Sequence, residues 1–591
     1  MNKAMMLAAC AVAATAFSAK GDFAMDRSVM SDKYWSIWND EVQAKIDADI
    51  EKYRKADATV EVAAPDGADV KVEQVGHAFY FGAHIFNFNQ LGKKEWNDRY
   101  KELYGTLFNS ATVAFYWRTL EQYPYAPRFE ERYEDTEEYW NREYERDPKA
   151  VAYKPNWRRP ATDPVISFLK TRRLRIHGHP LVWGNNAWHT PTWLWDDFCP
   201  ESEKRALEAA SGVKLPVRDI KQPICTKDTR NDPNLRWWDG AWKEIYAKLS
   251  EEEIAALVPT YIKAINDIYE RRVREIGERY GSRIDSWDVV NESATDFDDF
   301  GRKAVRGKLF DKSLYGPMPA DYAYKSFLWA QKYLSPKALF TINDYNMGPF
   351  FEQVDDLLRN GARIDVVGSQ MHLFNPAESV NIARGEGPAH LRPAAVAERF
   401  RILSQANRPI HLSEITITAP DNSQRGQMVQ AIIMRNLYRA WFSVEKMNGI
   451  TWWNVVDDCG APGEPSISGI FTRDMQPKTA YFAMDDLVNR EWKTKTTAKA
   501  AGGKVSFRGF KGAIVSLGRT PTARSAPSSS RSSDDETAVS ETAGCARARR
   551  GREVLSRSRE GGRRLARAVA RTWRGQRMGR RICARPICHC S

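Results

Sequence analysis

Cysteine is scarce in this sequence wherever a disulfide-stapled fold would need it. Of the 8 Cys in 591 residues, Cys10 lies in a leader-like segment, and Cys545, Cys583, Cys588 and Cys590 lie in a compositionally foreign tail. Cys199, Cys225 and Cys459 remain in the body, and Cys199–Cys225 is the pairing expected in an oxidising compartment. No apolar run beyond the first twenty residues is long enough for a membrane helix. No glycine-rich phosphate turn follows the first β-like run, which argues against an open, doubly wound nucleotide-binding sheet. The histidines do not fall at ligand spacings, so neither a metal nor a cofactor is expected. An excess of one charge is also missing from the body. The tail from Arg519 to Ser591 carries 18 Arg against 6 acidic residues, and the rest of the chain balances 70 basic with 70 acidic side chains. A basic face for nucleic acid is therefore not expected.

Aromatic residues are abundant, at 12% with 20 Trp. That is more indole than a core needs, and exposed indoles stack well on sugars. Lys3, the apolar stretch Ala4–Thr15 and the small residues Ala16–Ala19 read as a secretory signal. Export to a secreted or periplasmic location is expected, in preference to lipid anchoring at Cys10.

Residues 32–56 are predicted helical, and 58–75 are predicted to form a hairpin turning at Pro65-Asp66-Gly67. Eight β-rich runs follow: 78–86, 111–117, 173–183, 284–292, 338–346, 364–372, 409–417 and 449–457. Helical periodicity lies between several of them, at 251–280, 321–334 and 426–446. Alternation of this kind implies a parallel sheet, and eight units over roughly 380 residues fit a (β/α)8 TIM barrel with long loops. The predicted organisation is a signal peptide at 1–19, a helix and hairpin lead-in at 20–76, a barrel at 77–490, a C-terminal β addition at 491–518 and a tail at 519–591. The stretch 195–248 is a long insertion with few strand or helix signals. The Arg/Ser-rich tail is expected to be disordered, and a shifted reading frame is one origin for it.

Strand C-terminal ends of such a barrel collect on one face. Those ends supply His84, His179, Glu292, Asp344, Asn346, Gln370, His372, Glu414 and Asp457. Glu292 closes "WDVVNE" and Glu414 closes "IHLSE". Two carboxylates delivered to one face by strands four and seven are what glycosidic cleavage requires: one donates a proton, the other attacks the anomeric carbon or activates a water.

These segments resemble glycoside hydrolase family 10, the endo-β-1,4-xylanases. "HGHPLVW" (177–183), "WDVVNES" (287–293), "INDYN" (342–346), "GSQMH" (368–372), "HLSEITI" (411–417) and "PKTAY" (477–481) are similar to that family's motifs and stand in its order. The resemblance implies a retaining β-1,4-glycanase acting on xylan, substituted xylan included, with Glu292 as acid/base and Glu414 as nucleophile. It further implies sugar contacts from His179, Trp183, Asn186, Asn291, Tyr345, Gln370, His372, Trp453 and Arg118. A polysaccharide is the expected partner, and a monomer the expected state. Ala114 and Phe115 fall where the family carries Glu and Asn, and Thr416 falls where it carries Asp. Another β-linked polysaccharide therefore stays open as substrate, as does a non-catalytic carbohydrate-binding barrel.

Overall fold

The computed structural model describes residues 23–518, except 122, 132–135, 149–158, 185–188, 192, 216–232, 295–307, 314 and 461–463. The signal-like segment, the Arg-rich tail and Asn186 lie outside the described residues.

Two lead-in strands come first, β1 (Lys55–Glu61) and β2 (Asp69–His77). The barrel then takes β3 (Tyr80–His84), β4 (Ser110–Ala114), β5 (Arg175–His179) and β6 (Ser286–Asn291). A small hairpin, β7 (Asp311–Ser313) and β8 (Gly316–Met318), follows the fourth barrel strand. The barrel resumes with β9 (Leu339–Asp344), β10 (Val366–Leu373), β11 (Ile410–Ile417) and β12 (Met447–Trp452). These eight strands form a closed parallel ring in chain order, with β12 pairing back onto β3. Closure excludes the open-sheet alternative, and each predicted β-rich run supplies one strand.

The strands read clearly because both their faces are covered. Ile410–Ile417 is buried at every residue, which selects the near-continuous apolar composition of parallel strands. Gly178 is obligatory for packing: a Cβ there would sit 2.3 Å from the Trp287 ring. The helix predicted over 251–280 divides into Glu251–Leu257 and Pro259–Tyr280, because Pro259 brings no amide hydrogen and starts a new helix.

Two expectations need correction. The hairpin at 58–75 does not form. β1 pairs with β14 (Lys504–Phe510), whereas β2 lies between β13 (Lys495–Lys499) and β15 (Gly512–Gly518). Val70 and Val72 bury against Ala500 and Val505, so the apolar partners come from the C-terminal addition and not from the neighbouring strand. The insertion is helical where described, at Trp193–Phe198, Glu201–Ser211 and Pro233–Lys248. Trp193, Trp195 and Trp242 are buried in the main core, so these indoles pack the insertion onto the barrel. Cys199 is a buried free thiol. Burial pushes its pKa up to about 12, and the expected pairing with Cys225 falls outside the described residues.

Candidate active site

Both carboxylate-bearing strands carry an irregularity just before the acid. β6 slips against β9 between Asp288 and Val290, and β11 slips against both neighbours between Leu412 and Ile415. An extra residue in one strand reverses which side chains face inward. Ser413 and Val289 are those extra residues, and the slips place Glu414 and Asn291 beside the barrel axis. Glu292 follows with φ +53°, a left-handed conformation that costs energy for a residue with a side chain. Its amide is fastened to the Asn343 carbonyl at 2.9 Å.

Glu414 is 4% exposed and surrounded by donors. Gln370 Nε2 donates to Glu414 Oε1 at 3.0 Å and Asn343 Nδ2 donates to the same oxygen at 3.2 Å. His179 Nε2 stands 3.7 Å from Oε1, and His372 Nε2 stands 3.4 Å from Oε2. Gln370 Nε2 also donates to Asn291 Oδ1 at 3.2 Å, joining β6 to β11 across the barrel mouth. Asn291 Nδ2 makes no close hydrogen bond among the described residues and lies near enough to Glu292 to favour its ionised form.

Burial drives the pKa of both carboxyls up, to about 8. For Glu292 the next cause is the Glu414 charge; for Glu414 the cation-like influence of His179 opposes the rise. Hydrogen bonds from Gln370, Asn291 and Trp183 oppose the rise for Glu292, and His179 and the Asn343 amide oppose it for Glu414. The pair titrates as a unit, with one proton shared unequally.

His372 is held neutral. Burial lowers its pKa to about 4, against a weaker opposing influence from Glu464. Its Nδ1 meets Thr416 Oγ1 at 2.9 Å. With the hydroxyl donating to Nδ1, the ring proton sits on Nε2 and points at Glu414. Deeper in the barrel, His179 Nδ1 and His177 Nε2 reach the same oxygen of Asp288, at 2.8 and 2.9 Å. His177 Nδ1 pairs with Ser286 Oγ at 2.8 Å. Burial alone would raise the Asp288 pKa, but the two histidines hold it below the usual carboxylate range. Asp288 thereby fixes the ring of His179, whose other nitrogen faces Glu414.

Trp453 packs edge-on to His84, Phe86 and His179, with centroids 5.2, 5.3 and 5.3 Å apart. It belongs with Phe86, Ala114 and Tyr116 to an aromatic cluster distinct from the main core, with Trp183 against it. Trp453 is thus part of the site wall. Tyr345, 53% exposed, stands at the end of β9. Arg118 is buried on the short helix Trp117–Leu120, its amide bonded to the His189 carbonyl.

Phe115 does not face the site. Its ring packs on Trp287 and Tyr280 at 4.8 and 5.5 Å, between barrel and helices, so only Ala114 reshapes the mouth. Two strand-end residues turn out structural. Asp344 accepts from the amides of Ala294 and Asn346, and Asp457 is bound by Lys478 Nζ at 3.0 Å. Asn343, Asp288 and His177 are site residues that the strand-end rule passed over. Asn343 sits one residue before the strand end that was counted, and the other two lie deeper in their strands, where only the i, i+2 alternation of an inward face marks them.

Residues 235–487 match the sequence profile of Glycosyl hydrolase family 10. Endo-1,4-beta-xylanase B of Butyrivibrio fibrisolvens is 21% identical over 337 residues, 54% of this chain and 41% of that protein. Endo-1,4-beta-xylanase C of Paenibacillus barcinonensis is 25% identical over 371 residues, 57% of this chain and 27% of that protein. The chain thus spans less than half the length of these two curated relatives. A solved family 10 structure from Paenibacillus barcinonensis aligns with TM-score 0.41 and 17% identity, covering 70% of this chain and 96% of that one. The profile match begins after β5, so it omits the first three barrel strands and their altered loops. It takes in both Glu292 and Glu414, and over those residues the chain is similar to glycosyl hydrolase family 10.

Proposed function

We propose that the protein is an exported, retaining endo-β-1,4-glycanase that hydrolyses xylan or a substituted xylan. The observation carrying this reading is the Glu292–Glu414 pair, two buried carboxyls at the barrel mouth whose pKa values burial raises together, with Gln370 and Asn343 donating to Glu414. The xylanase relatives support the substrate class, and the signal-like residues 1–19 support export.

In the first step Glu292 gives its proton to the glycosidic oxygen while the Glu414 carboxylate attacks the anomeric carbon. The glycosidic C–O bond breaks and a glycosyl ester forms. In the second, Glu292 as carboxylate takes a proton from water, the water oxygen bonds to the anomeric carbon, and the ester bond breaks. Both residues return to their starting protonation. Asn291 Nδ2 is the donor for the sugar 2-hydroxyl, a contact that tightens in the transition state. His179, held by Asp288, and His372, held by Thr416, position the nucleophile. Trp453, Trp183 and Tyr345 supply sugar-stacking faces.

The test is release of reducing ends from xylan by the full chain, with the anomer followed by NMR. An initial β product supports retention, an initial α product contradicts the nucleophile role of Glu414, and binding without hydrolysis favours a carbohydrate-binding barrel. Ala114 at the mouth favours one second reading, hydrolysis of another β-linked glycan, which a substrate panel separates.

A further inference from the structure

Arg159 stands beside the candidate site without a hydrogen-bonded carboxylate among the described residues, although Glu464 lies near enough to favour its charge. Its guanidinium carbon lies 4.5 Å from the Phe86 ring centroid and 5.7 Å from that of Tyr116. It forms no side-chain hydrogen bond or ion pair among the described residues, although the chain has many such pairs elsewhere. The nearby Glu464 carboxylate accepts from Asn454 Nδ2 at 2.9 Å. His84, stacked on Phe86 at 4.3 Å, adds no charge, because burial, helped by Arg159, lowers its pKa to about 3.

The same two rings lead to the reaction centre. Tyr116 packs edge-on to His179 at 5.5 Å, and Phe86 packs on Trp453 at 5.3 Å. His179 is the residue 3.7 Å from Glu414 Oε1. Where β4 ends in this cluster the side chain is Ala114, which leaves the aromatic face unobstructed by a longer residue. A partly buried guanidinium keeps its charge and five donors. Sugar hydroxyls would satisfy some donors and leave the charge uncompensated, whereas a carboxylate matches the fork and the charge together.

We propose that Arg159, seated on Phe86 and Tyr116, binds the carboxylate of a hexuronic acid unit carried by the glycan, next to the cleavage point. This rests on the glycanase reading above and specifies its substrate as an acidic, decorated β-glycan.

The experiment compares kcat/KM of the full chain on linear xylo-oligosaccharides and on oligosaccharides of equal backbone length bearing one glucuronic acid. In the parent protein the acidic-to-neutral ratio is expected to fall as salt is raised. Arg159→Gln is expected to lower that ratio about tenfold or more, and Arg159→Lys to restore part of it. An unchanged ratio in Arg159→Gln, or a salt-independent ratio in the parent should the variant not fold, overturns the proposal. If neither oligosaccharide is cleaved, the glycanase reading fails, and calorimetric binding of the same two compounds decides the Arg159 site by itself: equal affinities overturn it.

Discussion

His372 Nδ1 and Thr416 Oγ1 are hydrogen-bonded at 2.9 Å, so a hydroxyl and not a carboxylate orients the imidazole beside Glu414. A hydroxyl gives no charge to hold a second proton on the ring, and burial lowers the His372 pKa to about 4. Thr416→Asp is expected to raise the His372 pKa and so to place a cation 3.4 Å from Glu414 Oε2. A nearby cation favours the ionised nucleophile. The acid limb of the kcat/KM profile should then move to lower pH, which a pH–rate series on an aryl xyloside measures. An unmoved acid limb would show that His372 does not couple to Glu414.

With Glu292 as the proposed acid, the alkaline limb is expected to follow its protonation. Its pKa is raised to about 8 by burial and by the Glu414 charge, so the acid form persists through neutrality and is lost as pH rises through that value. Activity on xylan should therefore decline near pH 8, well above the ordinary carboxylate range. An aryl xyloside with a good leaving group needs no proton in its first step, and its glycosylation rate should lack this limb.

Glu292→Ala separates the two steps of catalysis. Formation of the glycosyl ester from an activated aryl glycoside should continue, and hydrolysis of xylan should fall about 10²-fold or more. Pre-steady-state release of the phenol reads the first step. Equal losses on both substrates would contradict the acid role.

Glu414→Ala should abolish turnover, by about 10⁴-fold or more, while xylo-oligosaccharide binding persists. Calorimetry on the variant checks the binding, and retained turnover would remove Glu414 from the nucleophile role.

Phe115→Ala tests the reassignment of a residue that aligns with the family's sugar-gripping segment. Phe115 is fully buried against Trp287 and Tyr280. Its truncation should cost about 3–5 kcal/mol of stability, read by urea denaturation. A loss of substrate affinity without loss of stability would return Phe115 to the groove.

The barrel was legible because each strand is a short apolar run buried on both faces, bounded by polar ends. Glu292 and Glu414 were legible because each interrupts such a run. What stayed hidden depended on partners far away in sequence. β2 reads as half of a hairpin until Val70 and Val72 are seen to need Ala500 and Val505. Asn343 and Asp344 look alike at the end of β9, and only the register against β6 and β10 separates the donor to Glu414 from the turn-fixing carboxylate. Arg159 lies in no strand or motif, and its place beside Phe86 and Tyr116 depends on partners far away in sequence. Ala114 and Phe115 are neighbours, and alternation sends one to the mouth and the other to the helix layer.

The interleaving of β2 with β13 and β15, and of β1 with β14, also bears on how the molecule is made. Thr497 pairs with Lys71, and Gly512 with His77, contacts that join segments more than four hundred residues apart. Such pairings close the largest loops in the chain and come late in folding. During synthesis β1 and β2 wait with unpaired edges while the whole barrel is translated, and an unpaired edge invites association with other chains. Lys71 and the acids Asp69 and Glu73 on either side of it suit a strand that must stay soluble until its partners emerge.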